Sequence, residues 1–528
     1  MSNSNDVDAA LALWRFGLGA ADGGITAIKD APRDLLKEEI TERAVPTPVG
    51  AQLRSSSDLL VALYEYQKQV KAERDKQPAA GAMAGAAMAG ANAMQGAGGP
   101  PQAAGMQGNA MQGNGMQVGA MPPQSQPQSQ PQPQAQAQAQ AQPQSMDKKP
   151  DMPVSKRPYF PQQILLAEAD ARFNGTIHQP LIGFGERLAM FWANHFSVAI
   201  SKGGEVHILA GAFEREAIRP HVFGRFEDML LAVETHPAML VFLDNQQSIG
   251  PTSPANKNGK RGLNENLARE IMELHTLGVD GGYNQADVTS LARIITGWTF
   301  YRDEKRPGPQ GKFIFNANAH EPGDHTVMGM TYADGNVEQG RTALRDLARH
   351  PATAKHIATK LVRYFVADQP PPALVTKLAA AYTKSQGDLS AVYTALVDAD
   401  EAWNPTLTKM RMPQDYVAAM LRTSGIKPKP EQIISMLNAL GQPLWNPAGP
   451  NGFSDVTDAW ASSESLATRI DAANLFAHQI QGQVDPRAFA GDRLGPLLTA
   501  DTLQAISRAE TRPQGLSIAF LSPEFQRR

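Results

Sequence analysis

The sequence predicts an all-α fold: a single large, mostly helical domain with a minor β-hairpin and a disordered low-complexity insert. Three observations support this fold class. Apolar residues recur at helical spacing along most of the 528-residue chain. Proline stands at plausible first-turn positions in several of these segments. Residues 77–145 contain no charged side chain, and such a segment buries too little apolar surface to offset the entropy of ordering it.

The predicted helices lie on both sides of the insert. Residues 1–76 form the first part of the domain, residues 77–150 the insert, and residues 151–528 the remainder. Before the insert, helices are predicted at Val7–Arg15, Pro32–Arg43 and Ser57–Asp75. After it they are predicted at Pro161–Phe173, Gly185–Ile200, Phe213–Arg219, Phe226–Val233, Pro237–Leu243, a helical hairpin from Asn264 to Trp298, Asn336–Arg349, Pro351–Phe365, Pro371–Lys384, Leu389–Asp398, Pro413–Thr423, Pro430–Leu440 and Glu464–Ile480.

Two stretches break the helical pattern. Residues 301–332 are rich in Gly, Pro, Asn and Asp, and within them Lys312–Phe315 and Thr326–Met328 are predicted to pair as a small hairpin, with His320 and His325 on or near its loop. Residues 441–460 hold several large aromatic side chains and are predicted to pack over the domain.

Two similar tripeptides are interpreted as helix starts. His236-Pro237-Ala238 and His350-Pro351-Ala352 each precede an apolar helix, and Thr235 is a possible cap for the first.

Composition excludes several classes of protein. A net charge of -3, with basic and acidic residues interspersed, argues against nucleic acid as a partner. No run of about 18 apolar residues occurs, so no membrane span is expected. The first residues lack the pattern of an export signal, which predicts a cytoplasmic protein. The absence of cysteine excludes disulfides and thiolate catalysis.

The most informative segment is the helix predicted from Asn264 to His275. Asn264 is a suitable N-cap, and Asn266, Arg269, Glu270 and Glu273 fall within about 100° of one another on one face. On the same α-helical wheel, His275 lies on the side opposite Asn266. Two carboxylates one turn apart beside an arginine could divide the roles of general acid and general base.

A second helix supplies a possible opposing surface. In residues 185–200, Arg187, Asn194 and His195 share or border an apolar face that must be largely buried. One hypothesis places them across a cleft from the first helix, with Glu270, Glu273 and His195 catalytic and Arg187, Asn194, Asn264, Asn266 and Arg269 binding a substrate with a glycosidic or ester bond. The alternative is a buried polar network that only fixes helix packing.

A metal site is an alternative to this hypothesis. Glu270, Glu273 and His275 resemble a di-metal set in composition, but one helix cannot turn all three toward one ion, and His195 or His320 would have to join them. No metal ligand or cofactor is therefore assigned. The methionines of the insert could bind a soft metal, although a flexible tether explains the segment better.

The loop before Asn264 carries cations near a helix N-terminus. Lys257, Lys260 and Arg261 could bind an anionic ligand such as a sulfated or uronic glycan, and solvated loop charges are the alternative.

Several long motifs together resemble one bacterial family. They are FWANHFSV from Phe191, RPHVFGRFEDMLLAVETHPAMLVFLDN from Arg219, NENLAREIMELHTLGVDGGYNQADVTSLARIITGW from Asn264, RHPATAKHIATKLVRYFVAD from Arg349 and GQPLWNPAGPNGF from Gly441. In this order they resemble the family called domain of unknown function 1800. The resemblance implies a mostly helical bacterial protein of unestablished activity, often exported and often encoded beside a sulfatase-like protein, which is a possible partner.

Overall fold

The computed structural model describes residues 2–76, 159–178, 181–257, 259, 262–302, 309–480, 482 and 484–528. The insert predicted at residues 77–150 lies outside the described residues. By internal contacts the chain divides into Met1–Lys68 with Pro158–Arg528 as one unit and Gln69–Arg157 as another, of which only residues 69–76 are described.

Helices dominate the described chain, which confirms the predicted mostly helical fold. Before the insert lie α1 (Ser2–Leu11), α2 (Gly24–Ile28), α3 (Pro32–Thr41) and α4 (Ser56–Lys76). After it follow α5 (Phe160–Asp170), α6 (Phe184–His195), α7 (Gly204–Phe213), α8 (Phe226–Glu234), α9 (Pro237–Phe242), α10 (Asn266–Glu270), α11 (Gln285–Ile294), α12 (Asn336–Arg349), α13 (Pro351–Phe365), α14 (Pro372–Lys384), α15 (Leu389–Val397), α16 (Pro413–Ser424), α17 (Pro430–Ala439) and α18 (Ser463–Ile480).

Four further helices complete the C-terminal part: α19 (Pro486–Leu494), α20 (Ala500–Ser507), α21 (Arg512–Leu521) and α22 (Pro523–Gln526). The helical pattern in the sequence predicts no helix beyond Ile480. Short 3-10 turns occupy Ile200–Lys202, Arg219–His221, Asn245–Gln247, Pro254–Asn256, Asp400–Trp403, Thr457–Trp460 and Gly495–Leu497.

Among the helices of the described residues, four widen locally into π turns, at Ala12–Phe16, Ala171–Thr176, Glu214–Ile218 and Ile271–His275. Each π turn carries one ionisable side chain that is almost fully buried, namely Arg15, Arg172, Glu214 and His275. Because a π turn bonds residue i to i+5, it holds one residue more than an α turn. The widened turns therefore rotate these polar side chains into the core.

The strands pair differently from the predicted hairpin. β1 (Trp298–Phe300) is antiparallel to β2 (Phe313–Phe315), with Thr299 opposite Ile314. β3 (His325–Val327) is antiparallel to β4 (Met330–Tyr332). The predicted pairing of Lys312–Phe315 with Thr326–Met328 is therefore wrong, because the two-residue turn at Met328-Gly329, with both residues at positive φ, closes β3 onto β4, and β2 pairs back onto β1.

Helix starts follow the local chemistry of the sequence. The Nδ1 atoms of His236 and His350 accept hydrogen bonds from the backbone N–H groups of Ala238 and Ala352, both at 3.1 Å. Both histidines are thus N-caps, which confirms their role as helix starts. Thr235 is not the cap, because its hydroxyl donates backward to the Leu231 carbonyl.

One continuous core runs through the first unit. It includes the indoles of Trp14, Trp192 and Trp298, all fully buried. The loop of residues 441–460 packs on this core as predicted, since Trp445 and Trp460 are buried. Among the described residues we find no helix long and apolar enough to cross a bilayer.

Candidate functional site

The N-terminus of α10 is organised by asparagine. The Asn264 side-chain oxygen accepts the backbone N–H of Asn266 at 2.9 Å, and the Asn264 N–H donates to the hydroxyl of Ser248 at 3.0 Å. Asn264 therefore orders the helix start, although the helix itself begins two residues later. The Asn266 side chain is exposed on the outer surface.

Arg269 turns toward the neighbouring helix α11. Its guanidinium contacts the Glu265 carboxylate at 3.2 Å and the Gln285 side-chain oxygen at 3.0 Å. Glu265 also accepts from Thr289 at 2.6 Å, and this hydrogen bond is the main reason that the pKa of Glu265 is lowered. The carboxylate that pairs with Arg269 is thus Glu265, and not Glu270 or Glu273 as predicted.

The two candidate catalytic carboxylates are half-buried beside this surface. Burial raises the pKa of Glu270, and the neighbouring Glu273 adds to the rise. Within the described residues the Glu270 carboxylate makes no hydrogen bond. Tyr283 also has a raised pKa, mainly through burial and further through the nearby charge of Glu273. The structure thus brings together Glu270, Glu273 and a tyrosine missed by the sequence analysis.

The opposite side of the same segment forms a buried cluster of imidazoles. His275 Nδ1 lies 2.7 Å from Glu234, and neither side chain is exposed. His195 Nε2 lies 3.2 Å from the His275 carbonyl oxygen, so α6 and the π turn meet here. Burial, together with the nearby Lys360, holds the pKa of His195 well below its ordinary value.

Two more side chains border this cluster from α13. His356 Nε2 lies 3.1 Å from the Leu274 carbonyl oxygen, and burial lowers its pKa to about 4. Burial also lowers the pKa of Lys360 to about 8. A π turn in place of an α turn is the feature that would have predicted this cluster. Its i+5 spacing places His275 within electrostatic reach of Glu270. An α-helical wheel separates these two residues.

Arg187 is engaged inside the core. Its guanidinium lies 2.8 Å from the Asp415 carboxylate and about 5.0 Å from the centre of the Tyr364 ring. Asp415 also pairs with Arg528, and all three charged side chains are almost fully buried. Arg187 makes no hydrogen bond or ion pair with Glu270 or Glu273.

Asn194 holds the loop of residues 441–460 in place. Its amide donates to the Phe453 carbonyl at 2.9 Å and accepts the Phe453 N–H at 2.8 Å. Under this loop lies a cavity of about 30 Å³, room for roughly two water molecules. Arg172, Asn194, Asp415 and Trp445 are among its lining residues. Asn194 therefore faces this small cavity and not the carboxylates of α10.

The loop predicted to bind an anion already receives a carboxylate from within the chain. Glu321 accepts the Thr252 N–H at 2.7 Å and the Thr252 hydroxyl at 3.1 Å. Lys257 is exposed, while Lys260 and Arg261 lie outside the described residues.

The described part of the chain contains no cluster of side chains that supports a metal site. There, no group of three or more His, Cys, Asp or Glu side chains is placed to hold an ion. His320 lies 3.1 Å from the Thr296 carbonyl oxygen and against Phe315, so its described contacts are with the β1–β2 region. The methionine tract lies outside the described residues.

Comparison with known proteins identifies a family. A family model described as "Protein of unknown function (DUF1800)" matches residues 11–527. No curated protein and no solved structure matches the chain.

Proposed function

Because the chain belongs to the family described as a protein of unknown function, DUF1800, we propose its function from the geometry: it is a non-catalytic binding or assembly protein. The observation that carries this proposal is the engagement of Arg187, Asn194 and His195 by the fold itself. Arg187 pairs with Asp415, Asn194 fixes Phe453, and His195 meets the backbone of His275. These side chains stabilise helix packing, as the structural alternative predicts.

The absence of a shared cleft supports the same function. His195 lies on the inner side of the Ile271–His275 turn, whereas Asn266 and Arg269 lie on its outer side. Arg269 is directed to Glu265, so the cation predicted to hold one of the two catalytic carboxylates charged is already paired. A binding protein needs no such acid and base pair.

An activity screen tests this proposal. Purified protein would be assayed on nitrophenyl esters, sulfates and glycosides, together with Glu270→Gln and Glu273→Gln. We expect no turnover above background in any of the three proteins. Turnover by the unaltered chain that disappears in Glu270→Gln, with the melting temperature kept within a few degrees, would overturn the proposal.

A hydrolase-like activity is the second candidate, because the raised pKa of Glu270 beside Glu273 is the pattern expected of a general acid. In this version Glu270 protonates the leaving group of an ester or glycoside and Glu273 is the base, with Arg269, Asn264 and Asn266 on the substrate side. An anionic or glycan ligand would then approach the outer side of α10, where Asn266 is exposed. The same screen decides between the two candidates.

The sulfatase-like partner implied by the family resemblance also belongs to the proposal. Mixing the two purified proteins and measuring a joint sedimentation boundary would support the pairing, and two independent boundaries at high concentration would contradict it. A cytoplasmic location stays a prediction, which cell fractionation would check.

A further inference from the structure

The cavity of about 30 Å³ beneath the loop of residues 441–460 lies where several separate parts of the chain converge. Its lining combines apolar side chains of methionine, valine, proline and phenylalanine with polar side chains from the π turn at Ala171–Thr176, from α6, from α16 and from the loop. A binding site for a small molecule has this composition, because apolar contacts enclose the ligand while a few polar groups fix its orientation.

Arg172 supplies the cavity with a buried cation whose hydrogen-bonding capacity is only partly used. The residue is 2% exposed, and its Nη1 lies 2.9 Å from the Glu214 carboxylate. Its Nε has no hydrogen-bond partner among the described residues. The donors of a guanidinium group are almost always satisfied in a protein interior. Arg172 therefore has donors available for an acceptor in the cavity.

Gln442 adds a neutral donor from the loop. Its side-chain oxygen accepts the backbone N–H of Gln414 at 2.8 Å, and the orientation of the amide is fixed because this N–H can only donate. The amide nitrogen at the other end makes no hydrogen bond within the described part of the chain. Gln442 is buried and lines the cavity, so this second donor is also available there.

The carboxylate and the asparagine that line the cavity are already engaged by the fold. Asp415 lies between the guanidinium groups of Arg187 and Arg528, which neutralise its charge. Asn194 donates to the Phe453 carbonyl and accepts the Phe453 N–H. The groups left to interact with a ligand are therefore a guanidinium and an amide N–H, and both favour an anionic acceptor.

The loop over the cavity is held by strained and close backbone contacts. Trp445, which lines the cavity, has a φ of 47°, in the left-handed region that a bulky residue rarely adopts. Its carbonyl accepts the Ile200 N–H at 2.9 Å, which holds it there. Gly452 has a φ of 73°, and an added Cβ would lie 2.3 Å from the Asn194 carbonyl oxygen. Such strain is concentrated at ligand clamps and other functional sites, where the surrounding structure maintains it.

We propose that this cavity binds a small carboxylate of the size of formate or acetate. The inference rests on the proposed binding function and deepens it by naming a class of ligand. The carboxylate oxygens accept from Arg172 and Gln442, and the methyl group of acetate contacts the apolar part of the lining, where Met190 and Met412 lie. The space of roughly two water molecules, about 60 Å³ of liquid, limits the ligand to a few non-hydrogen atoms.

Saturation-transfer NMR of the acetate methyl signal, recorded with the full chain, tests the proposal. So small a ligand can gain only a modest binding energy, so we expect a dissociation constant of about 1 mM. Formate should compete with acetate for the cavity. Acetamide, which has the same shape without the charge, should not compete, and neither should butyrate, which is too long for the cavity.

Two lining variants locate the bound acetate. Gln442→Glu keeps an acceptor for the Gln414 N–H but replaces the amide donor by a second acceptor, and should weaken acetate binding at least about tenfold, the loss of one charge-assisted hydrogen bond. Ala193→Leu fills the cavity from a half-buried position and should abolish binding. The matched controls are Gln504→Glu, exposed on α20, and Ala232→Leu, half-buried on α8, and both should bind acetate like the unaltered chain.

Three results would overturn the proposal. They are no acetate signal with the unaltered chain, which would mean that the cavity holds water only, competition by acetamide or butyrate as strong as that by formate, and unchanged acetate binding in both lining variants. Melting curves check that each variant is folded. The activity screen is independent: turnover there would remove the proposed non-catalytic function without changing acetate binding, and a failure to bind acetate would leave the result of the screen as it is.

Discussion

At the scale of single residues, Asp415 shows how buried charge is used in this protein. Burial alone would raise its pKa, but Arg187 and Arg528 outweigh that effect and hold the pKa of Asp415 below its ordinary value. The carboxylate is therefore charged at neutral pH and neutralises part of a cationic core. Its contribution to stability is expected to be far larger than that of a surface pair.

Replacing Asp415 by Asn should lower the free energy of unfolding by about 3 kcal/mol or more, because it leaves buried guanidinium groups without their counter-charge. Urea unfolding measures this. Asp398→Asn is the matched control, since Asp398 pairs with Lys37 at the surface and should cost less than about 1 kcal/mol. Equal losses in the two variants would contradict the role of Asp415.

A second residue, Asn194, gives a test of the loop it holds. Asn194→Ala removes two hydrogen bonds to the Phe453 backbone and should lower the free energy of unfolding by about 1 to 3 kcal/mol. Proteolysis within residues 441–460 should become faster than in the unaltered chain. An unchanged cleavage rate would mean that the loop is held by its other contacts.

The sequence predicts burial at this scale better than it predicts partners. The helical stripe containing His195 had to be buried, and it is. The partners of Arg187 and Asn194 are more than 200 residues away along the chain, at Asp415 and Phe453. No local pattern encodes such pairings. Without them, the polar side chains of α6 and α10 are left without known partners, and a cleft between the two helices is the simplest prediction.

At the scale of elements, the sequence predicts a helix start correctly where the capping residues lie within a few positions of one another. The capping box at the start of α11, in which the side chains of Asn284 and Asp287 each accept the other's backbone N–H, needs only four consecutive residues. Local signals failed for α19 to α22, which are between 4 and 10 residues long. Such short helices are marginal alone and depend on packing, and here α21 lies against α18.

The histidine cap of α13 provides a prediction for an element. His350→Ala removes the acceptor for the Ala352 N–H and should lower the free energy of unfolding by about 1 kcal/mol. His350→Asn keeps an acceptor at the cap and should recover most of the loss. Thermal melting of the two variants compares them, and equal melting temperatures would show that the cap contributes nothing.

At the scale of the whole molecule, buried neutral histidines predict sensitivity to acid. Burial is the largest cause of a lowered pKa in seven of them: His178, His195, His207, His221, His236, His325 and His356. Between their folded and unfolded pKa values the unfolded chain binds more protons. Their stabilising effect is therefore complete above about pH 6.5 and is lost as the pH falls through their folded pKa values, which are about 4 for His178 and His356.

His356 has a folded pKa of about 4. It alone should lower the free energy of unfolding by about 2 to 3 kcal/mol when the pH falls from 7 to 4.5. Urea unfolding at the two pH values measures the difference, and in His356→Gln it should shrink by that amount. The same difference in both proteins would show that His356 is free to take up a proton in the folded state.

The four π turns also affect how the chain can change. Each is equivalent to one residue inserted into a regular helix, with the extra residue accommodated without a break. Deleting one residue from within the turn at Ile271–His275, between Ile271 and Leu274, would restore a regular α-helix in which the side chains on both sides keep their positions around the axis. His275 would then stay in the core beside Glu234. A single-codon deletion should therefore be tolerated better inside these turns than in a regular helix, where it rotates every later side chain by about 100°.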